Sequence, residues 1–322
     1  MITREHFDSF SWIDIDIDEV RDAEKIAMDY GIDPEVAAYA LDKNELAHVE
    51  YNRKTGQLLL IYNVLKLIKE DNSFQTVPIT FIAQDNRLIS MSTKETDYIV
   101  RRLQALAQDN HDMSLYDFLF SSLVEISTPY FSVIEKLTHE RQVINQQLRA
   151  KTTKQGLLAL SDIETGNVFL ASACRQNAVS IERIKNQSLY FHLNEEEKEQ
   201  LDDALVEAKQ LVEMTEMTSE ILAQLTATYN NILNNDLNDT MTMLTIVSLL
   251  MTIPSVVTGF FGINVPLPTV FTESKYGWIL VILLSVFLWM VMSKMLTYMM
   301  GQSFLMSFKQ FFKMAFKGRR KS

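Results

Sequence analysis

The chain has 322 residues, 47% of them hydrophobic, with one cysteine and a formal net charge of −11. That length is enough for about two domains with cores of their own. The single Cys174 excludes an intrachain disulfide, and the acidic balance disfavours nucleic acid as a partner while attracting cations. The charge is uneven: after Asn238 there are eight Lys/Arg and two Asp/Glu, a local +6 that leaves −17 on residues 1–238.

The N-terminus MITREHFDSFSWID has no apolar run of signal-peptide length, so residues 1–238 are expected to stay in the compartment where they are made. WIDIDID, Trp12 to Asp18, alternates with period two, which predicts a half-buried strand with Ile13, Ile15 and Ile17 inward. Asp14, Asp16 and Asp18 then read as its solvated face rather than a calcium loop, because the glycine and distal glutamate of an EF-hand are missing. Asp18 is placed to cap a helix through EVRDAEKIAMDY that Gly31 ends, and GIDPEVAAYALD starts another, with Pro34 at its first turn. LAHVEYN, GQLLLIYNVLKLI, TVPITFIAQ and RLISMS are further strands, and the turns RKTG and DN make them hairpins of a mixed or partly antiparallel sheet.

Helix signals dominate from about Thr93. KETDYIVRRLQALAQ, SLYDFLF through QQLRA, and GLLALSD through SIERI read as long helices. The last contains Cys174, which argues against a thiolate nucleophile, and His6, His48, His111, His139 and His192 are too scattered for a zinc site. A further helix begins at NEEEKEQL with Asn194 as cap and meets no glycine or proline until Pro254. About sixty residues at 1.5 Å each would make it on the order of 90 Å long. Its acidic start, Glu195, Glu196, Glu197, Glu199, Asp202 and Asp203, is the best local candidate for a regulatory metal site and is equally well explained as a solvated helix start.

Met241 to Phe261 carries no charge and is long enough to cross a bilayer, as is Trp278 to Met292 with its flanks. The alternative, a hairpin buried in a globular core, would require full burial of both runs. The basic tail Lys309, Lys313, Lys317, Arg319, Arg320 and Lys321 against a connector holding only Glu273 and Lys275 predicts a multi-pass protein of the cell membrane with both termini cytoplasmic. The tail's interleaved phenylalanines suit an interfacial amphipathic helix. The expected organisation is an α+β cytoplasmic domain with a mixed sheet (1–110), a helical segment (111–193) and a stalk helix (194–240). An all-α hairpin of two membrane helices (241–261 and 277–299) follows, with an external loop (262–276) and a basic tail (300–322).

Steps of three and four from Asn238 give Met241, Thr245, Ser248, Thr252, Ser255 and Gly259, a small or polar stripe apart from Met241. Such residues let helices pack closely in lipid, or line a water-filled pore when several copies surround an axis. The pore is favoured because the stripe extends over five turns. It contains no carboxylate, so an ion would be held through its waters.

At the outer end of this span, GFFGINV resembles the CorA family of divalent-cation channels, where a Gly-Met-Asn signature closes the first of two C-terminal spans. Gly262, Ile263 and Asn264 occupy it here. WIDIDIDEV, ALDKNELAHVEY and RLISMS are weaker traces of the family's N-terminal domain. The resemblance implies a homopentamer with Asn264 as an outer ring that meets the hydrated ion and Gly262 allowing backbone approach. It also implies that Asn238, Met241, Thr252, Ser255 and Gly259 face the pore, and that magnesium between the N-terminal domains regulates it. Ile263 in place of methionine also occurs in the ZntB zinc-transporting branch.

Magnesium uptake, with cobalt and nickel as further ions, is the leading expectation; zinc transport, proton-coupled in one version, is the alternative. A membrane-tethered sensor or scaffold is the reading from another class. No nucleophile, base or covalent cofactor site suggests an enzyme. The expected partners are further copies of the chain, the lipid bilayer and divalent metal ions.

Overall fold

A computed structural model describes residues 2–19, 22–42, 45–69, 74–263, 271 and 275–317, without the side chains of 2, 3, 297 and 299–317. Six strands form one sheet: β1 (Ile2–His6), β2 (Ser11–Asp16), β3 (His48–Asn52), β4 (Gln57–Leu65), β5 (Thr76–Gln84) and β6 (Arg87–Ser92). Their spatial order is β1-β2-β6-β5-β4-β3; β2 and β6 run parallel and the other neighbours antiparallel. The mixed sheet expected from the hairpin signals is thus present. Asp85 and Asn86 both take positive φ, 50° and 56°, in the two-residue turn that pins Gln84 opposite Arg87. β1 gave no alternating signal because it is an edge strand whose Arg4 and His6 are exposed.

Helix α1 (Ala23–Tyr30) ends at Gly31 in the left-handed region, as predicted, but its cap is Asp22, which accepts from the amides of Glu24 and Lys25 at 3.1 and 3.2 Å. Asp18 instead accepts from the Lys94 amide at 3.0 Å. Helix α2 (Pro34–Leu41) has Asp33 as cap and Pro34 in its first turn. Together they cover one sheet face, packing on Ile13, Ile15, Ile61, Ile82 and Ile89.

The opposite face is covered by α3 (Asp97–Asp109), α4 (Leu115–Ala150), α5 (Lys154–Lys185) and the start of α6 (Glu195–Phe261). Trp12, Leu60, Tyr62, Phe81, Phe118 and Phe120 form that core. With helices on both sides, Trp12 to Ile15 and Ile17 are buried, so both faces of the strand are covered there, and only Asp16 and Asp18 stay partly exposed. Asp14, expected on a solvated face, is 4% exposed. Beyond the end of β3, the buried Asn177 amide of α5 takes the place of a strand: it accepts from the Asn63 N–H at 2.8 Å and donates to the Asn63 carbonyl at 2.9 Å. Asn63's other neighbour in the sheet is Pro78, which has no N–H to offer.

The chain divides into two units, Met1–Tyr229 and Asn230–Ser322, and α6 contributes residues to both. The second unit pairs the end of α6 with α7 (Gly277–Lys317). Within it Ile246, Leu250 and Val257 of α6 are buried, and an apolar groove of about 360 Å³ runs between Ile253 and Val257 on α6 and Leu288, Val291, Met292 and Met295 on α7.

Candidate ion pathway

Asn238, Met241, Thr245, Ser248, Thr252, Ser255 and Gly259 all lie on α6 and are exposed in the single chain. At 100° per residue their mean direction is roughly 145° around the helix from the face formed by Ile246, Leu250, Ile253 and Val257. α7 therefore packs on one side of α6 and leaves the stripe nearly opposite; Thr252 sits where the stripe borders the groove.

The hydroxyl geometry decides what this face offers. Thr245 donates to the Met241 carbonyl at 2.9 Å, Ser248 to Leu244 at 2.9 Å, Thr252 to Ser248 at 2.9 Å and Ser255 to Met251 at 3.1 Å. A carbonyl only accepts, so each hydroxyl proton is turned back onto its own helix and the outward lone pairs are acceptors. These four hydroxyls are chemically one-sided: outward they receive hydrogen bonds, and only the amide of Asn238 adds a side-chain donor to the stripe.

At the end of α6 the Gly262 amide donates to the Gly259 carbonyl at 3.2 Å, closing the last turn. A Cβ on Gly262 would lie 3.1 Å from the Thr258 carbonyl oxygen, tighter than ordinary packing, whereas one on Gly259 would meet nothing within 4 Å. Gly259 therefore answers to no crowding within the chain. Ile263 is 47% exposed, and Asn264 lies outside the described residues.

Gly277 opens α7. A side chain there would overlap the backbone carbonyl of Phe271, whose ring also packs on Phe261 with centroids 5.0 Å apart. Gly277 is thus required for the return into α7; its place between Tyr276 and Trp278 was the available signal.

Within one chain, the described residues at the acidic start of α6 are not grouped as a metal site. Glu197 is 7% exposed and acts as a cap: it accepts from Ser114 Oγ at 2.5 Å and from the Asn194 amide at 2.8 Å, while Asn194 Oδ1 accepts from the Glu197 amide at 2.8 Å. Glu195 pairs with Lys198 and Asp202 with Lys185. Glu196, Glu199 and Asp203 join no cluster, and among the described residues no three His, Cys, Asp or Glu side chains are grouped to hold an ion. Cys174 is buried, and that burial pushes its thiol up to about 12.

A family model described as CorA-like Mg2+ transporter protein matches residues 7–297. The chain is 22% identical to the cobalt/magnesium transport protein CorA of Methanocaldococcus jannaschii over 265 residues, 80% of this chain and 81% of that one. The complete structure of the CorA magnesium transporter from the same organism superposes with a TM-score of 0.76 at 20% identity, covering 89% of this chain and 90% of that one. The full-length CmaX protein gives 0.68 at 14% identity over 88% of each chain. The ZntB cytoplasmic domain from Vibrio parahaemolyticus gives 0.57 at 10% identity, covering 72% of this chain and 91% of that one. With a family match over most of its length and two helices of membrane-spanning length and composition, the chain belongs to the CorA-like Mg2+ transporter family of divalent-cation transport proteins of the membrane.

Proposed function

We propose that the chain is a homopentameric, channel-type transporter in which five copies of the 241–261 span surround an axis and pass a hydrated divalent cation. Magnesium is the first ion, with cobalt and nickel as further ions. One observation carries this reading: an exposed stripe whose four hydroxyls present lone pairs outward. Water bound to a cation points its hydrogens away from the ion, so a wall of acceptors matches a hydrated cation and mismatches a hydrated anion. Magnesium dehydrates reluctantly and suits such indirect holding. The stripe's lack of carboxylate and imidazole favours the ion keeping its shell.

In this reading Asn264 forms the outer amide ring, Gly262 keeps the backbone close beside it, and Ile263 borders the filter. Asn238 and Met241 line the cytoplasmic end. The basic tail and nearly uncharged connector support cytoplasmic termini. An inward-negative potential then contributes about 4.6 kcal/mol per 100 mV for a divalent ion, so uptake needs no pump. The bonds already made by Glu197 disfavour a regulatory ion at the start of α6 within one chain, and we place none there.

The test is ion flux into liposomes holding the purified protein. Asn264→Ala should abolish magnesium uptake while native mass spectrometry still finds the pentamer; unchanged flux would sink the filter assignment. The Gly262-Ile263-Asn264 motif also suits zinc, and zinc flux coupled to a pH change without magnesium flux would replace the ion. Absence of any cation flux from the intact oligomer would leave a tethered sensor or scaffold.

A further inference from the structure

The N-terminal unit holds a buried carboxylate that the transport reading does not use. Asp14 of β2 lies directly opposite Ser90 of β6 in the parallel pair, two residue pairs before Asp16 and Ser92. Its oxygens accept from Ser90 Oγ at 2.5 Å and Ser92 Oγ at 2.8 Å, and Ser90 Oγ in turn accepts from Trp12 Nε1 at 2.9 Å. Trp12, Ser90 and Ser92 are themselves buried. Yet the group is not sealed: Asp14 and Ser92 line a cavity of about 310 Å³.

The charged groups around that cavity are Asp16 on β2, Lys94 in the turn before α3, and Asp97 and Arg101 on α3, the last two paired at 2.6 Å. No buried cation neutralises Asp14 among the described residues; its partners are neutral hydroxyls. A carboxylate buried without a counter-ion is relieved by taking up a proton, and a cavity large enough for several waters gives the proton a route. We infer that Asp14, with Ser90, Ser92 and Trp12, forms a proton-binding site that couples the β2–β6 pair to the pH of the solution around the N-terminal unit.

The chemistry of the switch follows from donor counting. Ionised, Asp14 accepts both serine hydroxyls. Protonated, it has a hydrogen of its own to place, so one serine must turn its hydroxyl away and accept instead. If that serine is Ser90, its bond from the Trp12 indole is disturbed; if it is Ser92, the second rung of the parallel pair changes. Burial is the main cause that raises the carboxyl from 3.8 to about 6; the two serine bonds oppose it, Asp16 reinforces it, and the positive charge of the N-terminus opposes it least. The folded unit then binds this proton more tightly than the unfolded chain does. Stability is gained as pH falls through about 6, is complete below the unfolded value of 3.8, and is lost as pH rises again.

Trp12 is the natural reporter, since replacing Trp278 and Trp289 by phenylalanine leaves it as the one tryptophan of the chain. In that full-length protein, Trp12 emission should show a one-proton transition near pH 6, and Asp14→Asn should remove it. A transition surviving Asp14→Asn would overturn the proposal, as would the absence of any transition. Two milder variants guard against misfolding of Asp14→Asn. Ser92→Ala removes a bond that favours the ionised form and should move the midpoint up, whereas Asp16→Asn removes a like charge and should move it down. Equal midpoints in both would equally overturn it.

Discussion

The two units of the chain obey opposite packing rules. In Met1–Tyr229 both faces of the sheet are covered and the largest aromatic side chains are hidden from water. In Asn230–Ser322, Leu244, Met251, Val256, Leu283 and Phe287 are exposed although they lie on the two helices that carry apolar runs of membrane-spanning length. Water does not tolerate a surface of that kind, and hydrocarbon does. The first unit is held by withdrawal of apolar surface from water; the second has little of that driving force and relies on close contact and lipid. The same residue, leucine or phenylalanine, therefore has a different energetic meaning on either side of Tyr229.

The sharpest test of that difference removes one apolar side chain from each unit. Phe118 is fully buried and its ring lies 5.3 Å from that of Trp12, so Phe118→Ala leaves a cavity costing about 3–5 kcal/mol. Leu283 is 58% exposed, so Leu283→Ala should cost less than about 0.5 kcal/mol. Urea unfolding of the detergent-solubilised protein, with Trp278 and Trp289 replaced by phenylalanine, followed by Trp12 emission for the first variant and helical circular dichroism for the second, measures both. Similar losses would break the comparison.

Much of this contrast was legible in the sequence, and the misses have physical reasons. The strands β2 to β6, the end of α1 at Gly31 and the long uninterrupted α6 follow from periodicity and turn residues acting locally. What local pattern does not encode is the second layer. WIDIDID alternates as a half-buried strand does, and only the helices stacked on its aspartate side make Asp14 a buried group. Asp22 displaces Asp18 as cap because Asp18 is already engaged by the Lys94 amide, 76 residues away. The acidic start of α6 looks like a ligand cluster in one dimension, but the meeting of α4 and α6 turns Glu197 into a cap for Asn194 and a partner for Ser114. In the membrane unit the stripe was legible because helical spacing alone sets it, whereas the need for glycine at Gly277 depends on where the Phe271 carbonyl returns.

A smaller effect would separate the proposed ion-facing side of the membrane unit from its merely polar positions. Thr245 and Thr258 both turn their hydroxyl protons back onto α6, to Met241 and Pro254, yet only Thr245 belongs to the stripe. Thr245→Val keeps the shape and removes the acceptor. It should lower magnesium flux about fivefold, the equivalent of about 1 kcal/mol for one hydrogen bond, with assembly unchanged. Thr258→Val should leave flux as it was. If the two variants fall equally, the stripe is a packing surface, and the membrane unit has no chemically distinct side.

The smallest expected effect concerns what holds the last helices of the first unit together. Arg175 of α5 and Glu216 of α6 are paired, as are Lys209 and Glu182 and Lys185 and Asp202. Three ion pairs along one helix–helix border suggest an electrostatic clamp, but all six side chains keep substantial contact with water, which screens them. On the same stretch of α6, Leu201, Ala204, Ala208, Leu211 and Leu222 are buried in the core of the first unit. A double-mutant cycle on Arg175→Ala and Glu216→Ala should therefore give a coupling below about 1 kcal/mol that shrinks further in about 0.5 M salt. A coupling of about 3 kcal/mol that resists salt would mean that charge, not burial, fixes α5 to α6, and the division between a water-driven unit and a lipid-driven one would lose its clearest boundary.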